Sequence, residues 1–432
     1  MQIRRAKSLK YLGSSRRYNG FRHFYQVDGR QLSFFTSVGP LGLSEPSSRI
    51  AAAHAALANL IDIYSITLPR EVVIEGISLN RQALAFWERT ARNIAAERIV
   101  EDNLPANVLN ARWRSESSLQ GRLERMPKAK KRGLLLAMSG GKESLTALKI
   151  MPDASACSLF FLHYPDRGWR HGQQVLNFFR RSHECIKVRN DITGTTPLIT
   201  EFNCKGYGMF VIGQIVFSAL FVMDRFSVIS IGNEFSANFG NGIHDGVPVN
   251  HQYDKSFSFA QELNNYLAAH VTEDFTHASP FWQWHEYRIA HRFFSDNVYL
   301  QQWSSCNHSS SAGFFCGRCA KCAFVFLLGA AHTDPSKICR MMGVNLMDNL
   351  NLIRALADPE GRKPLECVGT KEEVWVALED IWQKNVWRDS PGLQYYGDSI
   401  RPGISSRLTA MRKNLMKTKS LRPFMGTPPC CE

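Results

Sequence analysis

The chain has no apolar segment long enough to be an obvious membrane span. Its longest apolar run, residues 209–223, is interrupted by a glutamine and a serine and falls short of the roughly 20 residues that a bilayer span needs. The first twenty residues contain no apolar stretch of the kind found in a secretory signal. Internal repeats and low-complexity tracts are also missing. We therefore expect a cytoplasmic protein without a membrane span.

Acidic residues are scarce relative to basic ones. Lys and Arg total 52 against 38 Asp and Glu, which gives a formal net charge of +14. This excess suits an acidic partner, such as a nucleic acid, a membrane surface or a phosphate-rich substrate, and charge alone does not choose among them. The 11 cysteines, in the absence of a secretory signal, argue against a disulfide framework.

The first part of the chain predicts a small α+β module. Residues 21–36 contain two strand-like runs around Asp28-Gly29, a common hairpin signal. Helical spacing follows at residues 48–64, with Ser48 as a candidate N-cap, and again at residues 81–99. We place this module at residues 1–125 and interpret residues 126–133 as a basic linker.

Beyond the linker, apolar strand-like runs alternate with helical segments. This alternation predicts right-handed βαβ units and an α/β domain, at residues 133–300, with a doubly wound parallel sheet. Ligands of such sheets bind beyond the carboxyl ends of the strands. Residues 301–400 are expected to form a helical region with a cysteine cluster, and residues 401–432 a basic, flexible tail. The predicted strands are residues 134–138, 157–164, 185–188 and 227–231. One predicted helix begins at Ser144, and two others span residues 172–182 and 209–223.

A glycine-rich turn lies between the first of these strands and its helix. Backbone N–H groups at a helix N-terminus, with the positive end of the helix dipole, form an anion site. It is not a Walker A loop, because Glu143 follows Lys142 where that motif has Ser or Thr. We expect this turn to bind phosphate; the rival interpretation is a plain turn with Ser139 as helix cap. The turn consists of Ser139, Gly140, Gly141, Lys142, Glu143 and Ser144.

The turn resembles the SGGxDS loop of the PP-loop ATP pyrophosphatases. The resemblance implies ATP and Mg²⁺ as cofactors, with attack of a substrate oxygen on the α-phosphate to give an adenylate and pyrophosphate. Glu143 stands where that family usually has Asp.

Four cysteines form a second cluster. Cys316, Cys319 and Cys322 are evenly spaced in a turn-rich segment, and Cys306 lies ten residues upstream. Four thiolates suit a closed structural Zn²⁺ site, whereas the C-x2-C-x2-C run also matches three ligands of an iron–sulfur cluster. Unligated cysteines are the third alternative. The resemblance favours zinc, because some PP-loop enzymes carry a similar knuckle after the nucleotide domain.

Two polar segments follow the last predicted strand. Burying so many polar side chains beside an apolar strand is costly unless they contact a ligand. We expect them at the carboxyl edge of the sheet, where they would contribute to a substrate site. The residues are Asn233, Glu234 and Ser236 in the first segment, and Asn250, His251, Gln252, Tyr253, Lys255 and Ser256 in the second.

A closer resemblance emerges from the order of these segments. IGNEFSANFGN, VNHQYDKS, SSCN, CGRCAKCAFVFL and KPLECVGT occur in the order seen in the MurL-type ATP-dependent UDP-N-acetylmuramoyl-dipeptide epimerases, between about residues 50 and 390. The resemblance implies inversion of the α-carbon of a C-terminal residue, L-Glu to D-Glu in the parent enzyme. ATP and magnesium would drive it, yielding AMP and pyrophosphate. The implied substrate is an anionic peptide or a nucleotide-linked peptide.

The resemblance also implies roles for individual residues. The glycine-rich turn would hold ATP, and Lys255 or His251 would steady an enolate oxygen. Inversion needs an acid and a base on opposite faces, and the candidates are Glu234, His251, Glu366 and Cys367. The other polar residues of the two segments would contact substrate. Phe235 replaces a usual Arg and Asp254 a usual Ser. The aromatic substitution favours a more apolar peptide end.

Two other functions compete with this hypothesis. A PP-loop enzyme could instead pass its adenylate to a nitrogen or sulfur nucleophile, as amide-forming and tRNA-modifying members do. Nucleic-acid binding through the basic segments 1–30 and 401–422 is the third, and it offers no reason for the ordered polar motifs.

Overall fold

The structure is a computed structural model that describes residues 4–39, 42–116, 125–126, 133–151, 153, 156–165, 170–296, 298–306, 308 and 314–421. Most of the predicted basic linker, residues 127–132, and the last part of the predicted tail, residues 422–432, lie outside the described residues.

A large, mostly parallel sheet runs through the described part of the chain. Ten strands form it in the order β12-β9-β6-β7-β8-β3-β2-β1-β4-β5, and β10 and β11 form a separate hairpin. The strands are β1 (Ser8–Arg17), β2 (Gly20–Val27), β3 (Arg30–Ser37), β4 (Glu71–Ile74), β5 (Arg112–Ser115), β6 (Gly133–Ala137), β7 (Cys157–His163), β8 (Cys185–Asn190), β9 (Phe226–Ser230), β10 (Gly242–His244), β11 (Val247–Val249) and β12 (Thr276–Ala278).

Helices connect and cover the strands. Those of the first two thirds are α1 (Glu45–Thr67), α2 (Arg81–Glu101), α3 (Lys142–Ile150), α4 (Arg170–Phe179), α5 (Thr196–Glu201), α6 (Val211–Ala219), α7 (Phe257–His270) and α8 (Glu286–Phe294). The last third is helical throughout, with α9 (Ala320–His332), α10 (Pro335–Met342), α11 (Leu350–Ala357), α12 (Lys371–Gln383), α13 (Pro391–Tyr395), α14 (Arg401–Ile404) and α15 (Leu408–Met416).

Both faces of the parallel part are covered, as predicted. Successive residues of a strand point to opposite faces, and in β6 Leu135 contributes to one apolar cluster and Leu136 to another. The first cluster includes α1, α6 and α7, and the second includes α3, α4 and α8. The α/β class predicted from the alternating pattern is therefore confirmed.

The strand order creates a switch point at β6. The chain passes from β6 to β7 and β8 on one side, and later adds β9 and β12 on the other, with parallel pairing throughout. Connections that leave β6 and β9 in opposite directions open a crevice at their carboxyl ends, where ligands of such sheets bind. Residues 139–144 follow β6 and residues 231–241 follow β9, so both predicted segments border this crevice.

The predicted N-terminal module shares the same sheet. Strand β3 pairs antiparallel with β8 through Thr36 opposite Asn190 and Ser37 opposite Arg189. The side-chain amides of Asn59 and Asn190 also hydrogen-bond each other, at 2.8 and 3.2 Å. The hairpin predicted at Asp28-Gly29 is present as β2 and β3.

Helix α1 is long and apolar enough to cross a membrane by length and composition, but its most apolar stretch is entirely buried inside the protein. The sequence predicted this helix without its first turn. Ser48 is not the N-cap: Ser44 occupies that position, and its hydroxyl accepts a hydrogen bond from the Ser47 N–H.

The predicted flexible tail begins later than residue 401. Helices α14 and α15 extend to Met416, and Leu408, Met411 and Leu415 are buried against the C-terminal core. The Lys419 N–H further donates to the Gln283 carbonyl at 2.9 Å. Basic side chains on one helix face and apolar ones on the other explain why composition alone indicated a tail.

Candidate active site

The glycine-rich turn leaves β6 and enters α3 without a side-chain cap. Gly141 is the N-cap residue, and no side chain in the described part of the chain accepts a hydrogen bond from the first turn of α3. Ser139 is therefore not the helix cap; its hydroxyl accepts the Gly141 N–H, at 3.3 Å. The first N–H groups of a helix have no intrahelical acceptor, so this end is suited to an anion.

Gly140 is required by the shape of the turn. Its φ is +81°, and a Cβ atom there would lie 2.5 Å from Nε2 of His171 and 2.6 Å from Val175. Any other residue would be strained by φ and would collide with α4. The turn thus passes close beneath a side chain that sequence reasoning missed, His171.

A cavity of about 400 Å³ opens directly above the turn. Apolar side chains from β7 and α6 form one wall, including Phe160, Leu162 and Ile215. The turn contributes Ser139, Gly141, Glu143 and Ser144 to its floor, and Asn233, Lys255, Lys321 and Cys367 line it from later segments. The cavity combines an apolar wall with convergent polar groups, as small-molecule sites generally do.

Lys142 does not face this cavity. It is fully buried, and its ammonium pairs with the carboxylates of Glu143 and Glu286. Burial would raise the pKa of Glu143, but the ammonium groups of Lys142 and Lys321 outweigh burial and lower this pKa to about 2. Glu143 is therefore a permanent anion on the cavity floor, and Lys142 serves to hold it.

Glu234 and Lys255 form a second charged group. Glu234 is 1% exposed; its Oε1 accepts a hydrogen bond from Gln252 at 2.9 Å, and its Oε2 has no hydrogen-bond partner among the described residues. Burial raises the pKa of Glu234 to about 7, against the opposing effect of Lys255. Lys255 lines the cavity, and the negative charges of Cys367, Glu234 and nearby carboxylates outweigh burial and raise its pKa.

Cys367 and His251, 116 positions apart in sequence, meet in the structure. The Cys367 sulfur lies 3.5 Å from Nε2 of His251, and Nδ1 of His251 lies 2.8 Å from a carboxylate oxygen of Glu97. Burial opposes a charged thiol, but Lys255 and His251 lower the pKa of Cys367 to about 6. Burial likewise opposes a charged imidazole, yet Cys367 and Glu97 raise the pKa of His251 to about 10. Both shifts favour the thiolate–imidazolium form of the pair.

Other predicted residues shape the loops rather than the cavity. Gln252 links Glu234 to Lys363, whose ammonium lies 3.4 Å from the side-chain oxygen Oε1 of Gln252. Burial lowers the pKa of Lys363 to about 8. The remaining polar residues are used internally: Ser236 donates to Glu373, Asn250 donates to the Ala237 carbonyl, Tyr253 packs on Phe259, and Ser256 caps α7.

Glu366 caps a helix. Its carboxylate accepts the backbone N–H groups of Ala320 at 3.1 Å and Lys321 at 2.9 Å, at the start of α9. Both of its oxygens are thus engaged away from the cavity, whereas its neighbour Cys367 lines the cavity. This geometry favours a structural role for Glu366 over the predicted role in proton transfer.

The four predicted cysteines converge beside this cap. The sulfur atoms of Cys306, Cys316, Cys319 and Cys322 all lie within 4.8 Å of one another. Two of them, Cys316 and Cys322, are 3.7 Å apart, close to the about 3.8 Å expected between thiolates around a tetrahedral zinc with bonds of about 2.3 Å. The cluster can therefore hold a metal, and its geometry fits a closed structural zinc site.

Two positions that depart from the family pattern lie outside the cavity wall. Phe235 is buried, with its ring centroid 5.6 Å from that of Phe239 and 4.9 Å from that of His285. The residue beside Lys255, Asp254, accepts the Ile212 N–H at 2.9 Å near the start of α6. Neither side chain supplies an apolar contact surface for a substrate in the cavity.

Comparison with known families finds two matches in the chain. The MurL C-terminal domain matches residues 302–409, and the MurL N-terminal domain matches residues 211–279. The first match contains the cysteine cluster and Cys367, and the second contains Glu234, His251 and Lys255. No solved structure matches the chain.

Three curated relatives carry one name, UDP-N-acetyl-alpha-D-muramoyl-L-alanyl-L-glutamate epimerase. The protein of Xanthomonas oryzae pv. oryzae is 26% identical over 284 residues, 62% of this chain and 61% of the relative. Those of a Micromonospora species and Salinispora tropica are 26% and 27% identical over 287 residues, 62% of this chain and 60% and 59% of the relatives. The chain therefore spans about three fifths of the length of the curated relatives it matches.

Proposed function

We propose that the chain is a member of the MurL-type epimerase family and an ATP-dependent epimerase of the PP-loop superfamily. It adenylates the C-terminal carboxylate of a peptide or peptide conjugate and inverts the α-carbon through an enolate. Hydrolysis then releases the product with AMP and diphosphate. The relatives' name indicates the substrate class, UDP-N-acetylmuramoyl-L-Ala-L-Glu or a related peptide.

The observation that carries this proposal is the composition of the cavity. The uncapped N-terminus of α3 lines the same cavity as Lys255 and the Cys367 sulfur. The first feature suits the phosphates of a nucleotide, and the second suits proton transfer at a carbon atom. A single site with both features supports activation of a carboxylate followed by chemistry next to it.

Activation is necessary because the α-proton beside a carboxylate is very weakly acidic. Its removal would place a second negative charge next to the first. The adenylate has no such charge, and its carbonyl oxygen can accept the enolate charge beside a preorganised cation. Lys255, which lines the cavity and stays charged, is placed to supply that cation.

Glu234 and the Cys367–His251 pair provide the acid and base. A general acid–base group works best with a pKa near the working pH. Burial raises the pKa of Glu234 to about 7, and the surrounding cations lower the pKa of Cys367 to about 6. Since inversion requires proton removal on one face and delivery on the other, we assign Cys367, which lines the cavity, to one face of the α-carbon and the buried Glu234, whose neighbour Asn233 lines the cavity, to the other.

Glu143 is the carboxylate that would hold Mg²⁺. It lies on the cavity floor, stays ionised and offers the hard oxygen ligands that magnesium prefers. Bound magnesium would neutralise phosphate charge. Lys142, which is buried, pairs with the Glu143 carboxylate and fixes it in position.

The test uses UDP-N-acetylmuramoyl-L-Ala-L-Glu and a panel of dipeptides, with ATP and magnesium in heavy water. We expect AMP release together with deuterium at the α-carbon of the product. AMP release with new mass from added ammonia or sulfur, and no α-deuterium, would instead establish the adenylate-transferring alternative.

Glu143 variants test the loop assignment. Glu143→Ala and the isosteric Glu143→Gln should both abolish AMP formation. Glu88→Ala, which removes an exposed carboxylate of α2, is the matched control and should retain it. Full AMP release by Glu143→Gln would count against the assigned phosphate site.

A further inference from the structure

Three side chains form a line that ends at the cavity wall. Glu97 holds Nδ1 of His251 at 2.8 Å, and Nε2 of His251 faces the Cys367 sulfur at 3.5 Å. Of these three residues, Cys367 is the one that borders the cavity. A nucleophile with a base beside it, and a third group orienting that base, is the arrangement that activates sulfur for covalent catalysis.

Asn241 fixes the two loops that carry this line. Its side-chain oxygen accepts the His251 N–H at 2.8 Å, and its amide nitrogen donates to the carbonyls of Lys363 at 3.2 Å and Pro364 at 2.7 Å. One buried side chain therefore sets the distance between the loop of His251 and the loop of Cys367. Such support preorganises a reactive pair instead of leaving it to loop motion.

We propose that Cys367 is a nucleophile that takes the acyl group from the adenylate and carries it as a thioester. This inference rests on the proposed function, because ATP must first supply the adenylate. The sulfur attacks the acyl carbon, a C–S bond forms, and the bond from that carbon to the AMP oxygen breaks. AMP leaves with the electron pair, and the proton of the pair stays on His251.

The remaining groups then serve inversion on the thioester. Because the Cys367 sulfur now carries the acyl group, the His251 imidazolium replaces it as the proton donor at one face of the α-carbon, and Glu234 removes the α-proton at the other. Lys255, beside both Glu234 and Cys367, stabilises the enolate oxygen. Water finally attacks the thioester carbonyl and gives a proton to the now neutral His251 imidazole, the C–S bond breaks, and sulfur leaves as the thiolate that began the cycle. Glu234 releases the proton it removed to the solvent. The net reaction consumes one water per adenylate, as direct hydrolysis would.

Glu97 acts as a positioning residue in this scheme. It contacts His251, not the cavity, and it belongs to α2 of the predicted N-terminal module. Its carboxylate keeps the imidazole turned so that Nε2 faces sulfur, and it stabilises the imidazolium. The proposed site thus includes a residue of α2, a helix that precedes the glycine-rich turn in the sequence.

The decisive experiment separates adenylation from AMP release, using the substrate on which the intact protein releases AMP. Adenylation is measured as exchange of labelled pyrophosphate into ATP. In Cys367→Ala we expect exchange to persist, while AMP release falls at least about 100-fold, because the adenylate forms without its nucleophile. Cys339→Ala, which removes a half-buried cysteine outside the cavity, should retain both.

An acid quench during turnover provides a second measurement. We expect an adduct of substrate minus water on the peptide that contains Cys367, removable by hydroxylamine. Glu97→Gln should lower the rate of adduct formation and shift its pH profile, whereas Glu88→Gln on the same helix should change neither.

The outcomes distinguish the two proposals. If Cys367→Ala releases AMP at the normal rate and loses only α-deuterium exchange, sulfur is a base and the thioester is wrong while the proposed function stands. If no panel substrate supports pyrophosphate exchange or AMP release in the intact protein, both proposals fall together.

Discussion

At the scale of single residues, the charge state of Cys367 is the property with the clearest consequence. Its pKa of about 6 lies well below the about 8.5 of a free cysteine. The thiolate fraction rises as pH increases through the pKa, so alkylation of Cys367 by iodoacetamide should reach half its maximal rate near pH 6. The facing charges are Lys255, His251 and Lys321, and His251→Gln should move the midpoint upward.

Mass spectrometry of the alkylated peptides provides the rates. Burial raises the pKa of Cys339, so this residue is the internal control and should react only at higher pH. A Cys367 midpoint above pH 8 in the intact protein would show that the thiolate–imidazolium pair does not form.

Sequence reasoning found most of this site but not its geometry. It identified His251, Lys255 and Cys367 as candidates from the order of short motifs. It could not identify Glu97, which lies 154 positions from His251 and has no polar motif around it. Nor could it distinguish Cys367, which lines the cavity, from Glu366, which caps α9. The sequence does not show in which direction each of two adjacent side chains points.

At the scale of elements, the start of α9 depends on Glu366. Replacing it with Gln removes the negative charge beside the helix N-terminus and leaves one of two backbone N–H groups poorly paired. We expect the free energy of unfolding to fall by about 1–2 kcal/mol, measured by urea denaturation. Glu360→Gln, at an exposed position, should leave it unchanged within about 0.5 kcal/mol.

The cysteine cluster gives the second prediction at this scale. We expect one zinc ion per chain by elemental analysis and a colourless protein. Cys319→Ala should lose the zinc and unfold at lower temperature, because a closed thiolate site contributes directly to folding free energy. Cys339→Ala should keep it. A brown protein containing iron would instead support the iron–sulfur alternative.

The types of the elements were predictable because they depend on local sequence patterns. Their first and last residues were less predictable. Strand β6 and helix α2 appear within two residues of their predicted bounds. Helix α1 begins earlier than predicted because Ser44, followed by Glu45 and Pro46, caps it, whereas Ser48 lies within the first turns and bonds the Glu45 carbonyl.

At the scale of the whole molecule, the predicted N-terminal module and the predicted α/β domain contribute strands to one sheet. The boundary near residue 126 was drawn from composition, but pairing of β3 with β8 connects segments that are about 150 residues apart and leaves no local signal. Buried polar contacts cross the same boundary: Asp62 accepts the Phe210 N–H at 2.8 Å, and Arg98 donates to the Phe202 carbonyl at 3.0 Å.

Trp87 tests whether the two parts unfold together. It is fully buried, its Nε1 donates to the Tyr266 hydroxyl at 2.8 Å, and it packs on Phe217 across the boundary. Trp87→Ala should lower the free energy of unfolding by about 3–5 kcal/mol, and Trp87→Phe should cost less because most of the packing remains. Hydrogen exchange should show the same loss of protection in α1 and α7, because one cooperative core contains both. Loss of protection in α1 with α7 unchanged would mean that the N-terminal part unfolds independently. In that case Glu97 would be released from His251 well before the predicted α/β domain, residues 133–300, unfolds.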